Sequence, residues 1–103
     1  MNIIFKVTDK TGRKIRLTKR QWTHIVDKHP DMAGKQEEIM KTLEIPEFIL
    51  PEKFNEKMQN YYKYNKSQKE YLLVVVKYLN GDGFIATSFY TRKIRKSQTK
   101  KLN

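Results

Sequence analysis

The sequence contains no cysteine, and that absence removes a disulfide-stapled secreted scaffold, a cysteine-type zinc site and thiol catalysis together. Acidic residues are scarce, 11 against 22 Lys and Arg, which leaves a formal net charge of +11. Long hydrophobic runs are missing too: the longest covers residues 71–76, far short of the roughly 20 residues that span a bilayer. The first eight residues alternate and lack the apolar stretch of a signal peptide, so a cytoplasmic protein is expected. What is present is a chain of 103 residues, 38% hydrophobic, enough for one modest core. One domain over residues 1–95 and a basic tail over 96–103 are expected. Such a charge asks for a polyanion.

The excess is uneven. Residues 1–26 carry a net +6, residues 27–56 a net −4, and residues 57–103 a net +9. The extreme lies between 92 and 101, where Arg92, Lys93, Arg95, Lys96, Lys100 and Lys101 occur with no acid among them. Such a run neutralises phosphates and steers encounter with nucleic acid. It serves equally as a solubilising tail. An anionic membrane is a weaker partner, because no helix with a large apolar face accompanies the charge. If the two basic ends lie side by side, they form one cleft beside the first helix.

Local patterns predict the elements. Residues 2–9 alternate, with Ile3, Phe5 and Val7 on one side, and Thr11-Gly12 signals a turn into a second strand over 14–17. Thr18-Lys19-Arg20-Gln21 fits a capping box, with the Thr hydroxyl and the Gln amide each satisfying a free backbone N–H. The helix it opens carries Trp22, Ile25, Val26 and His29 at helical spacing, and Pro30 ends it. A second helix fits 35–43, with Ile39, Met40 and Leu43 buried. Pro46 and Pro51 bracket an edge strand or linker at 48–50, and strands follow at 58–64, 71–79 and 84–90. Asn80-Gly81-Asp82-Gly83 makes the last hairpin turn. The expected fold is α+β: an N-terminal β-hairpin, two helices, then an antiparallel β-meander, the whole sheet antiparallel with helices on one face.

Few residues offer chemistry. His24 and His29 stand about 140° apart on a helix of 3.6 residues per turn, which is wrong for a chelating pair, so no metal is expected. His29 falls at a helix C-terminus, where capping is the plainer role, and His24 reads equally as an ordinary surface histidine. No Gly-rich phosphate loop, nucleophile-elbow serine or two-metal carboxylate pattern occurs, and no cofactor is implied. On the closing strand simple alternation sets Phe84, Ala86, Ser88 and Tyr90 against Ile85, Thr87, Phe89 and Thr91. Its hydroxyls, Thr87, Ser88, Tyr90 and Thr91, gather just before the cationic run and suit either a phosphate or cross-strand hydrogen bonds. Tyr61, Tyr62 and Tyr64 suit base stacking or plain sheet packing.

Trp22-Thr23-His24-Ile25 followed by His29-Pro30-Asp31 resembles the W-x-H-I…H-P-[DE] opening of small phage and bacterial domains of the barnase–EndoU–colicin–RelE (BECR) nuclease-like superfamily. The segment 42–50, the valine-rich strand 71–77 and the ending 84–91 are similar too, so the resemblance spans about residues 16–95. It implies a helix-plus-sheet fold whose relatives are mostly metal-independent RNases, often toxins. By position it carries over His24 and His29 as the helix histidines, with Thr87 and Thr91 as the final-strand hydroxyls. Phe89 stands where the family commonly has tyrosine, so a phenol from this strand would come from Tyr90.

The leading expectation is therefore a metal-independent endoribonuclease, toxin-like in character. His24 serves as general base or acid with His29 as its partner or orienter, Thr87, Tyr90 and Thr91 hold the phosphate or leaving group, and Arg16, Lys77 and Arg92 supply cations. Ser88, Lys93, Arg95 and Lys96 complete the RNA-binding set. An imidazole near pKa ~6.5 suits both roles. The rival expectation is a non-catalytic nucleic-acid-binding module on the same fold. A third is a protein-interaction domain that meets an acidic partner such as an antitoxin or immunity protein.

Overall fold

The computed structural model describes residues 2–94. The chain runs β1 (Ile3–Thr8), β2 (Lys14–Thr18), α1 (Lys19–Lys28), a single 3-10 turn (Pro30–Met32), α2 (Gln36–Glu44), β3 (Phe48–Glu52), β4 (Asn55–Asn65), β5 (Glu70–Tyr78) and β6 (Asp82–Thr91). The α+β reading and the order hairpin, two helices, meander hold, with β4 starting earlier than its sequence pattern indicated. Residues 96–103, expected as a basic tail, lie outside the described residues.

The six strands form one sheet in the order β1-β2-β6-β5-β4-β3. An antiparallel sheet throughout was expected; this one is mixed, because β2 pairs with β6 in parallel. The reason is topological. The meander begins at the far edge and walks inward, so its fourth strand arrives beside β2 already pointing the same way. That pairing is short, Lys14↔Asp82 to Arg16↔Phe84, because β2 turns into α1 immediately afterwards.

Thr18 caps α1 as expected, its hydroxyl accepting from the Gln21 N–H at 3.2 Å. The reciprocal half of the box is not made. The Gln21 amide instead donates to the Ala86 carbonyl at 2.8 Å, on β6 beyond the point where β2 has left it. A carbonyl that lost its strand partner is more costly to leave unpaired than a solvated helix N-terminus, and the side chain goes to the carbonyl. His29, pushed out of helical geometry by Pro30, has φ −132°, and its backbone N–H still closes the helix on the Ile25 carbonyl.

Ile25, Met32, Ile39 and Leu43 from the helical layer pack on Ile15, Leu17, Tyr61, Leu72, Val74, Val76 and Ile85 of the sheet, all buried. The opposite face has a smaller cluster of Tyr62, Leu73 and Val75, supported by Leu50, Met58, Tyr71, Ala86, Phe89 and Ile94, with no helix over it among the described residues. Strand β5 is therefore buried on both faces from Leu72 to Val76, as its valine-rich run suggests.

Gly83 is where β2, β5 and β6 meet. A Cβ there would stand 2.5 Å from the Lys77 carbonyl oxygen and 3.1 Å from Ile15 Cδ1. The obstacle is backbone in a central strand, which cannot swing aside. Gly83→Ala is expected to cost about 1–3 kcal/mol, the usual range for overpacking, read as a lower urea midpoint with unchanged slope.

Candidate nucleic-acid interface

The sheet face opposite the two helices carries a row of cations. Successive registers place Lys6 opposite Arg16, Arg16 beside Phe84, Phe84 opposite Lys77 and Lys77 opposite Met58. This is one row across five strands. Its side chains share a face because Phe5 and Val7, Ile15 and Leu17, and Val74 and Val76 all point into the helical side, leaving their alternate neighbours outward.

One irregularity makes the row possible. Between β5 and β6 the register shifts at Val75/Val76: Val75 faces Thr87 and Val76 faces Ile85, so Ala86 is an extra residue. A bulge of this kind reverses the alternation beyond it. The simple pattern, with Phe84, Ser88 and Tyr90 on one side, is thereby corrected. Phe84 shares the open face with Thr87, Phe89 and Thr91, whereas Ile85, Ser88 and Tyr90 face the helices.

The hydroxyls are divided accordingly. Thr87 is half-buried on the open face opposite Val75. Thr91 closes a local turn, its Oγ1 accepting from Lys93 N and donating to Lys93 O, each at 3.2 Å. Ser88 is fully buried and donates to the Leu73 carbonyl at 2.8 Å, a cross-strand hydrogen bond. Tyr90 packs against the helical core. Burial foremost, with Glu38 adding and Asn65 opposing, pushes its phenol above the ordinary range. Neither Ser88 nor Tyr90 reaches the face that holds the cations.

Arg16 is held in place: its guanidinium carbon lies 5.9 Å from the Phe84 ring centroid and Nη1 lies 3.5 Å from Asp82. Lys6, Lys14 and Arg16 line a hollow of about 650 Å³ with Ile3, Gly12 and the turn Asn80-Gly81-Asp82. The basic cleft thus sits between two hairpin ends on the open face, not beside the first helix. At the other end of β6, Arg92 is exposed with its Nε 3.8 Å from Glu70, and Lys93 is exposed. Arg95 and Lys96 lie outside the described residues.

The two histidines differ. The His29 ring lies 4.9 Å from the Phe89 ring at 31°, so the residue expelled from α1 by Pro30 rests on a strand residue of the open face. His24 is exposed, one turn after Gln21. Since Gln21 is tied to Ala86, helical spacing sets His24 along the same side of α1, beside the part of β6 that β2 leaves unpaired. No hydrogen bond joins the two imidazoles among the described residues. Nor do any three His, Asp or Glu side chains there lie close enough to hold a metal ion.

Lys6, Lys14 and Phe84 were not singled out by sequence reasoning, and Phe89 was noted only as replacing the family's common tyrosine, not as a platform for His29. Lys6 was readable, because it alternates with Phe5 and Val7 on β1; Phe84 was not, because the bulge hides its face. Comparison with family models, curated proteins and solved structures finds no match to this chain.

Proposed function

We propose that the chain binds single-stranded RNA along the open face of β6 and cleaves it without a metal, using His29. The observation that carries this reading is the seating of the His29 imidazole on Phe89, on the face that also presents Thr87 and the Lys6–Arg16–Lys77 row. From Lys77 to Leu73, the partner of Phe89, is about 13 Å at roughly 3.3 Å per residue. The row therefore grips phosphates a few nucleotides from the imidazole, and Arg92 and Lys93 flank it on the other side.

At the reacting linkage one imidazole takes the proton of the ribose 2′-OH, and the 2′-oxygen attacks the adjacent phosphorus. The bond from phosphorus to the 5′-oxygen breaks, and a protonated imidazole supplies the proton to that leaving oxygen. A 2′,3′-cyclic phosphate and a 5′-hydroxyl result. His29 is the first candidate for either transfer, and His24, exposed on α1, is the second. Resemblance to BECR domains supports the same assignment.

Incubation with RNA in EDTA is expected to yield 2′,3′-cyclic phosphate ends, lost in His29→Ala while salt-sensitive RNA binding persists. Absence of such ends at high protein concentration, or undiminished cleavage by His29→Ala, would overturn the catalytic assignment. One observation favours the second reading, binding without turnover: among the described residues no second titratable group is hydrogen-bonded to His29, and exposed His24 has no hydrogen-bond or ion-pair partner there. That reading expects the same binding curve and intact RNA.

A further inference from the structure

On the same open face, the turn between β3 and β4 overhangs a hollow of about 320 Å³ whose floor is Met58, Val75, Thr87 and Phe89. Glu52 pairs with Asn55, so only Lys53 and Phe54 form the tip of this hairpin. Two-residue tips usually hold Asn, Asp or Gly. Here the tip holds a phenylalanine that is 90% exposed, against 65% for the next most exposed large apolar side chain, Ile45. The Lys53 ammonium lies 5.1 Å from its ring. An aromatic ring kept in water at the rim of an apolar hollow contributes nothing to the core.

Resting on the RNA reading above, we propose that this hollow is a nucleobase subsite in which Phe54 closes over one base of the bound strand. Four features select a base as the occupant. The hollow adjoins Phe89, whose ring already stacks on His29, so a base here is next to the proposed cleavage position. The cation row crosses Phe84 and Lys77 on the same two strands, supplying a grip for the neighbouring phosphates. The volume sits at the lower end of the roughly 300–1,000 Å³ typical of small-ligand pockets. Its floor is apolar and its rim carries Glu52, Lys53 and Asn55, with the Thr87 hydroxyl and the Asn55 amide nitrogen as groups able to read a base edge; the Asn55 oxygen is occupied by the Lys57 N–H at 3.1 Å. Stacking on aromatic side chains is the usual way such faces hold unpaired bases.

The test uses the full chain and a single-stranded oligoribonucleotide containing 2-aminopurine, followed by anisotropy for affinity and by base fluorescence for stacking. Wild type is expected to quench the 2-aminopurine on binding. Phe54→Ala should lose the quench and about tenfold in affinity, within the range for removal of one base–aromatic stack, with the salt dependence of binding unchanged. Phe54→Trp should restore both. The tip is exposed, so an unchanged melting temperature will show that the variants fold. Salt-sensitive binding of equal strength and equal fluorescence in wild type and Phe54→Ala would overturn the subsite and leave the RNA face standing. No salt-sensitive binding by wild type would overturn both. A change in self-association of Phe54→Ala by sedimentation, with RNA binding untouched, would assign the hollow to a second copy of the chain and overturn the proposal as well.

Discussion

Replacing Lys6, Arg16 and Lys77 together by glutamine is expected to cost about 10²-fold in affinity for single-stranded RNA near 0.1 M salt. Each phosphate contact to a single strand contributes about 0.7 to the slope of log K against log salt, which is roughly a factor of five per contact at that concentration. Three contacts give about 10², and the slope itself should flatten by about two. The slope is the more decisive measurement, because a merely misfolded variant would lose affinity without a defined change in salt dependence. The fold should survive. Lys6 is exposed, and Arg16 releases only a partly exposed Asp82 from a 3.5 Å pair, worth about 0–1 kcal/mol. Lys77 lies half-buried between Phe84 and Met58, and glutamine retains the first two of its four methylenes, the part nearest the sheet. An unchanged slope would mean that RNA, if bound at all, is held by other cations.

Which hydroxyls of β6 share the face of this row follows from the bulge at Ala86. Thr87 shares the row's face; Ser88 and Tyr90 do not. The physical cause of that split is also the limit of what the sequence could tell. Periodicity locates a strand and assigns its faces only while the backbone keeps strict alternation. One extra residue reverses every later assignment and leaves no mark in composition. The strands, both helices and the stop at Pro30 were legible because each rests on local physics: alternation, helical spacing, ring sterics. The parallel pairing of β2 with β6 was not, since it depends on which edge the meander starts from. The placement of His29 was half legible. Its exit from α1 follows from Pro30, but the ring that receives it lies sixty residues onward in Phe89.

Asp9 is the other residue whose role was hidden, and it carries the largest expected loss of stability. In the sequence it is only the last residue of the alternating strand 2–9, ahead of the turn at Thr11-Gly12. In the structure it is 4% exposed. Oδ1 accepts from Thr11 N at 2.9 Å, the Thr11 hydroxyl at 2.7 Å and Arg13 N at 3.0 Å, which fixes the β1–β2 turn. Oδ2 accepts from the Tyr61 hydroxyl at 2.8 Å and, more distantly, from Tyr78 at 3.4 Å; the two phenol oxygens are 2.6 Å apart. Arg13 covers the group, its guanidinium carbon 4.0 Å from the Tyr78 ring centroid. Burial, then the bonds to Tyr78 and Asp9, hold the Tyr61 phenol protonated well above its ordinary range, so it remains a donor. One carboxylate thus joins a hairpin turn to β4 and β5. Asp9→Ala leaves the Thr11 hydroxyl and two turn N–H groups without their acceptor, and the Tyr61 hydroxyl with Tyr78 alone, at about 1–3 kcal/mol for each donor that stays buried and unpaired. The expected loss is on the order of 4 kcal/mol, a large share of the roughly 5–15 kcal/mol that holds a domain of this size. Asp9→Asn should lose about half as much, because its oxygen can still accept in the turn while its amide meets Tyr61 as acceptor. Tyr61→Phe should lose about 1 kcal/mol: the ring remains in place, its hydrogen bonds to Asp9 and Tyr78 disappear, and the Tyr78 hydroxyl keeps Asp9 Oδ2 as an acceptor. Urea denaturation followed by tryptophan fluorescence should therefore rank the variants Asp9→Ala, Asp9→Asn, Tyr61→Phe in decreasing cost. If Asp9→Ala unfolded within 0.5 kcal/mol of wild type, as surface substitutions typically do, the carboxylate would be an incidental turn residue and not the joint between hairpin and sheet.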